Sequence, residues 1–89
     1  MLKPVYTKQF NKDTKRSKKR GKDLEKLKIA ICLLAEEKKL PVKNKSHKLI
    51  GNFQGCRECH IEPDWLLIYK VESGAIFFVR TGTHSDLFE

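Results

Sequence analysis

The chain has 89 residues, 34% of them charged and 39% hydrophobic, enough for one core and too little for a second. That balance excludes wholesale disorder, and no apolar run nears the roughly 20 residues of a membrane-spanning helix. The net charge of +8 is unevenly placed: Lys8 to Lys28 hold ten Lys/Arg against three Asp/Glu, Lys3 adds one, and from Ala35 to Glu89 eight bases meet eight acids.

Met1-Leu2-Lys3-Pro4 lacks the basic-then-apolar plan of a signal peptide, so a cytoplasmic protein is expected. Leu2 to Tyr6 reads as a short strand, with Pro4 placing it at a sheet edge or a strand start. Thr7 is a good N-cap for a helix from Lys8 to Arg20 that stops at Gly21. Its apolar face is thin (Phe10, then Thr14 and Ser17), so most of it should face solvent or a partner. A second helix is predicted from the Asp23 cap to about Lys39, ended by Pro41. Leu24, Leu27, Ile31 and Leu34 recur at helical spacing and make it the main core helix. Leu40 to Asn52 is polar, basic and loop-like.

Three strand signals follow. Phe53 to Ile61 alternates, Glu62-Pro63-Asp64 turns, and Trp65 to Val71 is a nearly continuous apolar run that reads as a central strand. Ser73-Gly74 is a tight turn, Ala75 to Arg80 the last strand, Gly82 a breaker, and Thr83 to Phe88 a short tail. The expected fold is one α+β domain over residues 1–89: an N-terminal strand plus a three-stranded antiparallel meander, packed on a helical hairpin that covers one sheet face and leaves the other free.

Three cysteines are an odd number and argue against a disulfide framework. Cys56-Arg57-Glu58-Cys59 has no second pair to complete a zinc site, and the formal match of Cys56 to His60 to a haem-attachment motif lacks an export signal. Strand packing is the expected role; no metal and no cofactor is expected. The one-sided charge suggests a polyanion partner, nucleic acid first, with Lys15, Arg16, Lys18, Lys19, Arg20 and Lys22 in the basic region. A solvated helix face that keeps the protein soluble explains the same charge.

The histidines are His47, His60 and His84. His60 ends the first meander strand, Asp64 lies in the turn after it, and Arg80 ends the third strand, which runs parallel to the first. His60, Asp64, Arg80 and His84 therefore emerge at one end of the sheet. His47 reaches them only if its loop folds back. Two histidines can take and give protons near neutral pH, and an arginine fork matches phosphoryl oxygens. Together they supply what metal-free RNA cleavage needs, and Phe88 could stack on an unpaired base. The plain structural reading stays open: surface histidines, Arg80 salt-bridged to Asp64 or Glu62, and Phe88 capping the core.

Lys45 to Gly51, Cys56 to Lys70 and Arg80-Thr81-Gly82-Thr83-His84-Ser85-Asp86-Leu87-Phe88 resemble, in order and spacing, the motifs of the YafQ branch of the RelE/ParE toxin superfamily. Phe10 with Lys12-Asp13, and the leucine-rich second helix, fit as well. Lys48 departs, where relatives often carry proline. The resemblance implies a RelE-like fold, ribosome-dependent mRNA cleavage and neutralisation by a small antitoxin. It implies a general acid at His84, phosphate stabilisation at Arg80, base chemistry and substrate orientation at His60 and Asp64, and support from His47 and Phe88. Lys15, Arg16 and Lys19 would then hold ribosomal RNA. The alternative is a toxin that blocks translation or another target by binding without cleavage. A general RNA-binding module is disfavoured, since neither an aromatic sheet motif nor a GxxG loop is present.

Overall fold

The computed structural model describes residues 1–41, 47–48, 53 and 55–88. In chain order the elements are β1 (Lys3–Tyr6), α1 (Lys8–Lys19), α2 (Leu24–Ala35), β2 (His47–Lys48), β3 (Arg57–Glu62), β4 (Trp65–Glu72), β5 (Ala75–Gly82) and α3 (His84–Phe88). Both predicted N-caps are used. Thr7 Oγ1 accepts from the Phe10 backbone N–H at 3.0 Å and donates to the Val79 carbonyl at 2.9 Å, so the cap also ties α1 to β5. Asp23 Oδ1 accepts from the Glu25 N–H at 3.0 Å.

Gly21, at φ 82°, closes α1. The N–H groups of Gly21 and Lys22 return to the carbonyls of Lys18 and Ser17, filling two of the acceptors every helix end leaves open. α2 ends in the same way at Ala35, four residues before the predicted Lys39, and Pro41 plays no part. Glu37 takes the left-handed position at φ 60°. The reason is tertiary: the Leu2 N–H takes the Ala35 carbonyl at 2.7 Å, and Glu36 to Lys39 are exposed and bury nothing that would repay another turn.

The sheet order is β1-β5-β4-β3-β2. β3, β4 and β5 form the expected antiparallel meander, and β1 lies parallel to β5 at the edge, where Pro4 costs no central ladder bond. β4 is the middle strand, and Trp65 to Tyr69 are all buried. Trp65, Leu67 and Tyr69 join Phe10, Leu27, Ala30, Ala35, Ile76 and Phe78 in the main core. Each large aliphatic or phenyl side chain among them, such as Leu67, Ile76 or Phe78, contributes about 1.5–3 kcal/mol when fully buried.

Three expectations change. The strand predicted from Phe53 starts at Arg57, because Gly55 at φ 88° and a Cys56 N–H to Phe53 carbonyl bond make a turn first. His47–Lys48, read as loop, pair with Glu58 and Arg57 as β2; much of the remaining predicted loop lies outside the described residues. The second sheet face is not free: Leu66 and Ile68 pack with Leu87 of α3 and with half-buried Phe53, Cys56 and Val79. The predicted tail is thus a short helix that covers this face.

Candidate active site

Register brings the end of β3 and the end of β5 to one end of the sheet. Leu66 of β4 faces His60 on one side and Gly82 on the other. Between the pairs Tyr69–Phe78 and Ile68–Arg80, β5 carries one extra residue, Val79. This bulge turns Val79 into the second cluster and re-aims the strand just before Arg80. Beyond Gly82 the chain folds at once into α3, and that turn is tightly built. Thr83 Oγ1 accepts from the Asp86 N–H at 3.1 Å, while Asp86 Oδ2 accepts from the Thr83 N–H at 2.9 Å, a reciprocal cap. Arg20, the C-cap of α1, grips the same carboxylate at 2.6 and 3.2 Å. Arg20 first, with Thr83, holds the Asp86 carboxyl well below the ordinary range. His84, the first residue of α3, is thereby fixed against α1.

Asp64, from the β3–β4 turn, meets it. One carboxylate oxygen accepts both the backbone N–H of His84 at 2.9 Å and the imidazole Nδ1 at 2.6 Å. These two contacts, the backbone one first, hold Asp64 below the ordinary carboxylate range. With Nδ1 as donor, Nε2 is the nitrogen left for chemistry. The His60 ring stands 6.0 Å from that of His84 and is steadied by the Pro63 carbonyl, 3.3 Å from Nδ1. Phe88 is 46% exposed, 6.4 Å from the His84 ring, with its edge against Phe53 at 5.7 Å. His60, Asp64, His84 and Phe88 thus form one cluster.

The backbone of His47 pairs with Glu58, two residues from His60; its side chain lies outside the described residues. Glu58 itself is buried two pairs in from His60, and period-two alternation with His60 is the sequence signal that marks this carboxylate.

Arg80 goes elsewhere than either suggested partner. Asp64 is committed to His84, and Glu62 to Lys22 at 3.0 Å and Lys26 at 2.9 Å. Arg80 binds Asp13 of α1, with Nε and Nη2 each 3.0 Å from a carboxylate oxygen. The family resemblance includes Asp13 but gives it no role; that appears only when α1 lies along β5. Arg16 is held by Asp13 at 2.9 Å and lies 3.7 Å from Asp86, which makes it part of the scaffold. Lys15 and Lys19 are exposed and meet no acid among the described residues.

Cys56 packs in the second cluster and Cys59 in the main core, so the pair points to opposite sheet faces and cannot jointly hold an ion. Burial, with Glu58 beside it, pushes the Cys59 thiol up to about 12 and keeps it unreactive. Among the described residues no three His, Cys, Asp or Glu side chains are grouped to hold a metal.

The family model for YafQ, a bacterial toxin of type II toxin–antitoxin systems, matches residues 2–89. The chain belongs to the YafQ toxin family. A YafQ-family relative from Escherichia coli (strain K12), the mRNA interferase toxin YafQ, is 46% identical over 84 residues, covering 93% of this chain and 91% of the relative. YafQ in the crystal structure of the E. coli DinJ–YafQ complex superposes with a TM-score of 0.92 at 43% identity, with both chains covered in full. A metal-bound toxin from Helicobacter pylori superposes with a TM-score of 0.93 at 42% identity, covering 99% of this chain and all of the other. The YafQ fold is therefore shared end to end, α3 included.

Proposed function

We propose that this toxin is an endoribonuclease that cuts mRNA on the ribosome, with the His60–His84 cluster as its active site. The observation that carries the reading is the Asp64–His84 contact at 2.6 Å beside a second imidazole 6.0 Å away. A carboxylate fixes the tautomer and orientation of one histidine, and the other stands within the span of one phosphodiester. In the reaction, one group takes the proton from a ribose 2′-OH and that oxygen bonds to the adjacent phosphorus. The P–O5′ bond breaks, and the departing oxygen receives a proton. His84 is the acid and Arg80 steadies the charge on the phosphoryl oxygens. His60 and Asp64 serve base chemistry and orientation, with His47 in support. Phe88 stacks on a base splayed out of the mRNA.

Lys8, Lys12, Lys15 and Lys19 hold ribosomal RNA. At 3.6 residues per turn they share an arc of about 60° on α1, diametrically opposite Phe10, Asp13 and Ser17. The latter three are buried. Consecutive lysines are about 5–6 Å apart, a row suited to a phosphate backbone. The partner that neutralises the toxin is an antitoxin, as DinJ is found with the E. coli relative, and action on ribosomes places the toxin in the cytoplasm.

The test is the chemistry of RNA ends after brief expression. Fragments ending in 2′,3′-cyclic phosphate and 5′-hydroxyl are expected. Fragments with 3′-hydroxyl ends would sink internal attack, and growth arrest without new ends would favour a toxin that acts by binding alone.

A further inference from the structure

Asp13 is fully buried. Its Oδ1 accepts from Arg16 Nη2 at 2.9 Å, Arg80 Nη2 at 3.0 Å and Gln9 Nε2 at 3.2 Å. Its Oδ2 accepts from Arg80 Nε at 3.0 Å and the Thr81 backbone N–H at 3.3 Å. A buried carboxylate is tolerated only when donors fill its lone pairs, as they do here. Yet apolar residues of similar volume often serve packing as well or better than a buried ion pair, so stability is a weak reason for this cluster.

Its geometric effect is specific. Arginine has five N–H donors in a rigid plane. Two points of attachment, Nε and Nη2, fix both the position of that plane and its rotation. Nη1 is the one guanidinium nitrogen outside this two-point contact, and it makes no hydrogen bond among the described residues. The Thr81 N–H bond to the same carboxylate locks the strand beneath Arg80, just past the Val79 bulge.

We propose that Asp13 is a positioning residue that holds the Arg80 guanidinium by Nε and Nη2 so that Nη1 meets the scissile phosphate. The inference rests on the reading of Arg80 as the phosphate-stabilising group. It also makes α1 a two-faced element: lysines toward the ribosome on one side, and the carboxylate that orients Arg80 on the other.

Two measurements test it. In the wild-type toxin, NMR of Arg80 should show a slowly exchanging Nε–H and restricted rotation about Nε–Cζ. A rapidly exchanging, averaged signal like that of an exposed arginine overturns the proposal, and no variant has to fold for this result. The second is cleavage of a defined mRNA on ribosomes by Arg80→Ala, Asp13→Asn and the double variant. Arg80→Ala should lower kcat about 100-fold, and Asp13→Asn about tenfold or more with KM changed less than about threefold. The double variant should be no slower than Arg80→Ala. Full activity in Arg80→Ala would remove the phosphate reading and this inference with it. Full activity in Asp13→Asn would overturn the inference alone, as would a double variant slower than Arg80→Ala by the whole Asp13→Asn factor, since Asp13 would then act through the fold. Asp13→Glu keeps the charge and shifts the carboxylate by one methylene: a folded Glu variant with reduced kcat supports the inference, and one with wild-type kcat counts against it.

Discussion

Among the described residues the His84 imidazole hydrogen-bonds to one side chain, Asp64, and that dependence can be measured. His84→Ala should abolish growth inhibition at equal expression, with loss of cleavage of about 100-fold or more. Asp64→Asn keeps the size of the residue but not the charge that favours a proton on Nδ1. It should lower kcat about 10- to 100-fold with little change in ribosome affinity. Because Asp64 titrates below the ordinary range, it stays ionised while histidines titrate. The deficit in Asp64→Asn should then persist throughout the range above about pH 5; a deficit that disappears in this range would place Asp64 outside the chemistry. Asp86 makes an acid-stability prediction. Its folded-state pKa is depressed, chiefly by Arg20. Its contribution is therefore complete above the unfolded value of about 3.9 and drains away as pH falls toward the folded value. Asp86→Asn should cost roughly 1–3 kcal/mol near neutral pH and show a flatter loss of Tm below about pH 4 than wild type. Parallel Tm curves would contradict this.

At the scale of elements, α1 separates cations that build the fold from cations free to bind. Arg16 and Arg20 hold Asp13 and Asp86, and beyond the helix Lys22 and Lys26 hold Glu62. Lys8, Lys12, Lys15 and Lys19 hold nothing among the described residues. Replacing Lys12, Lys15 and Lys19 by glutamine should leave Tm within about 0.5 kcal/mol equivalents of wild type. The same variant should flatten the salt dependence of ribosome co-sedimentation by about two to three log–log units. Lys22→Gln should do the reverse, lowering stability more than it changes the slope. Coincident salt curves for wild type and the triple variant would mean that the lysine row only keeps the protein soluble.

For the whole molecule, ion pairs bind the helices to the end of the sheet that carries the proposed site, among them Asp13 to Arg80 and Arg20 to Asp86. With one main core and these ties, unfolding should be a single cooperative transition, with near- and far-ultraviolet circular dichroism coinciding. Cleavage is proposed to use side chains alone, so it should survive EDTA once magnesium is restored to the ribosomes. The metal-bound H. pylori relative makes the check pointed. Stoichiometric metal in the purified toxin, with activity lost on its removal and regained on its return, would replace the metal-free mechanism.

Patterns of short range were legible in the sequence. Thr7 and Asp23 cap where their side chains can reach the next turn, the apolar run from Trp65 to Tyr69 is the central strand, and the turns at Pro63–Asp64 and Ser73–Gly74 set a meander that brings His60 toward His84. Period and turn chemistry act over a few residues, so one sequence carries them. The motifs around His60 and His84 identified the family for the same reason: they are contiguous. What lay beyond reach depends on contacts distant in the chain. The early end of α2 follows from Leu2 taking the Ala35 carbonyl, the cover on the second sheet face from Leu87 meeting Leu66 and Ile68, and the partner of Arg80 from a carboxylate 67 residues earlier. Asp13 in sequence is one more polar residue of a basic helix. Only burial of that helix face against β5 makes its charge intolerable without partners, and so turns it toward Arg80.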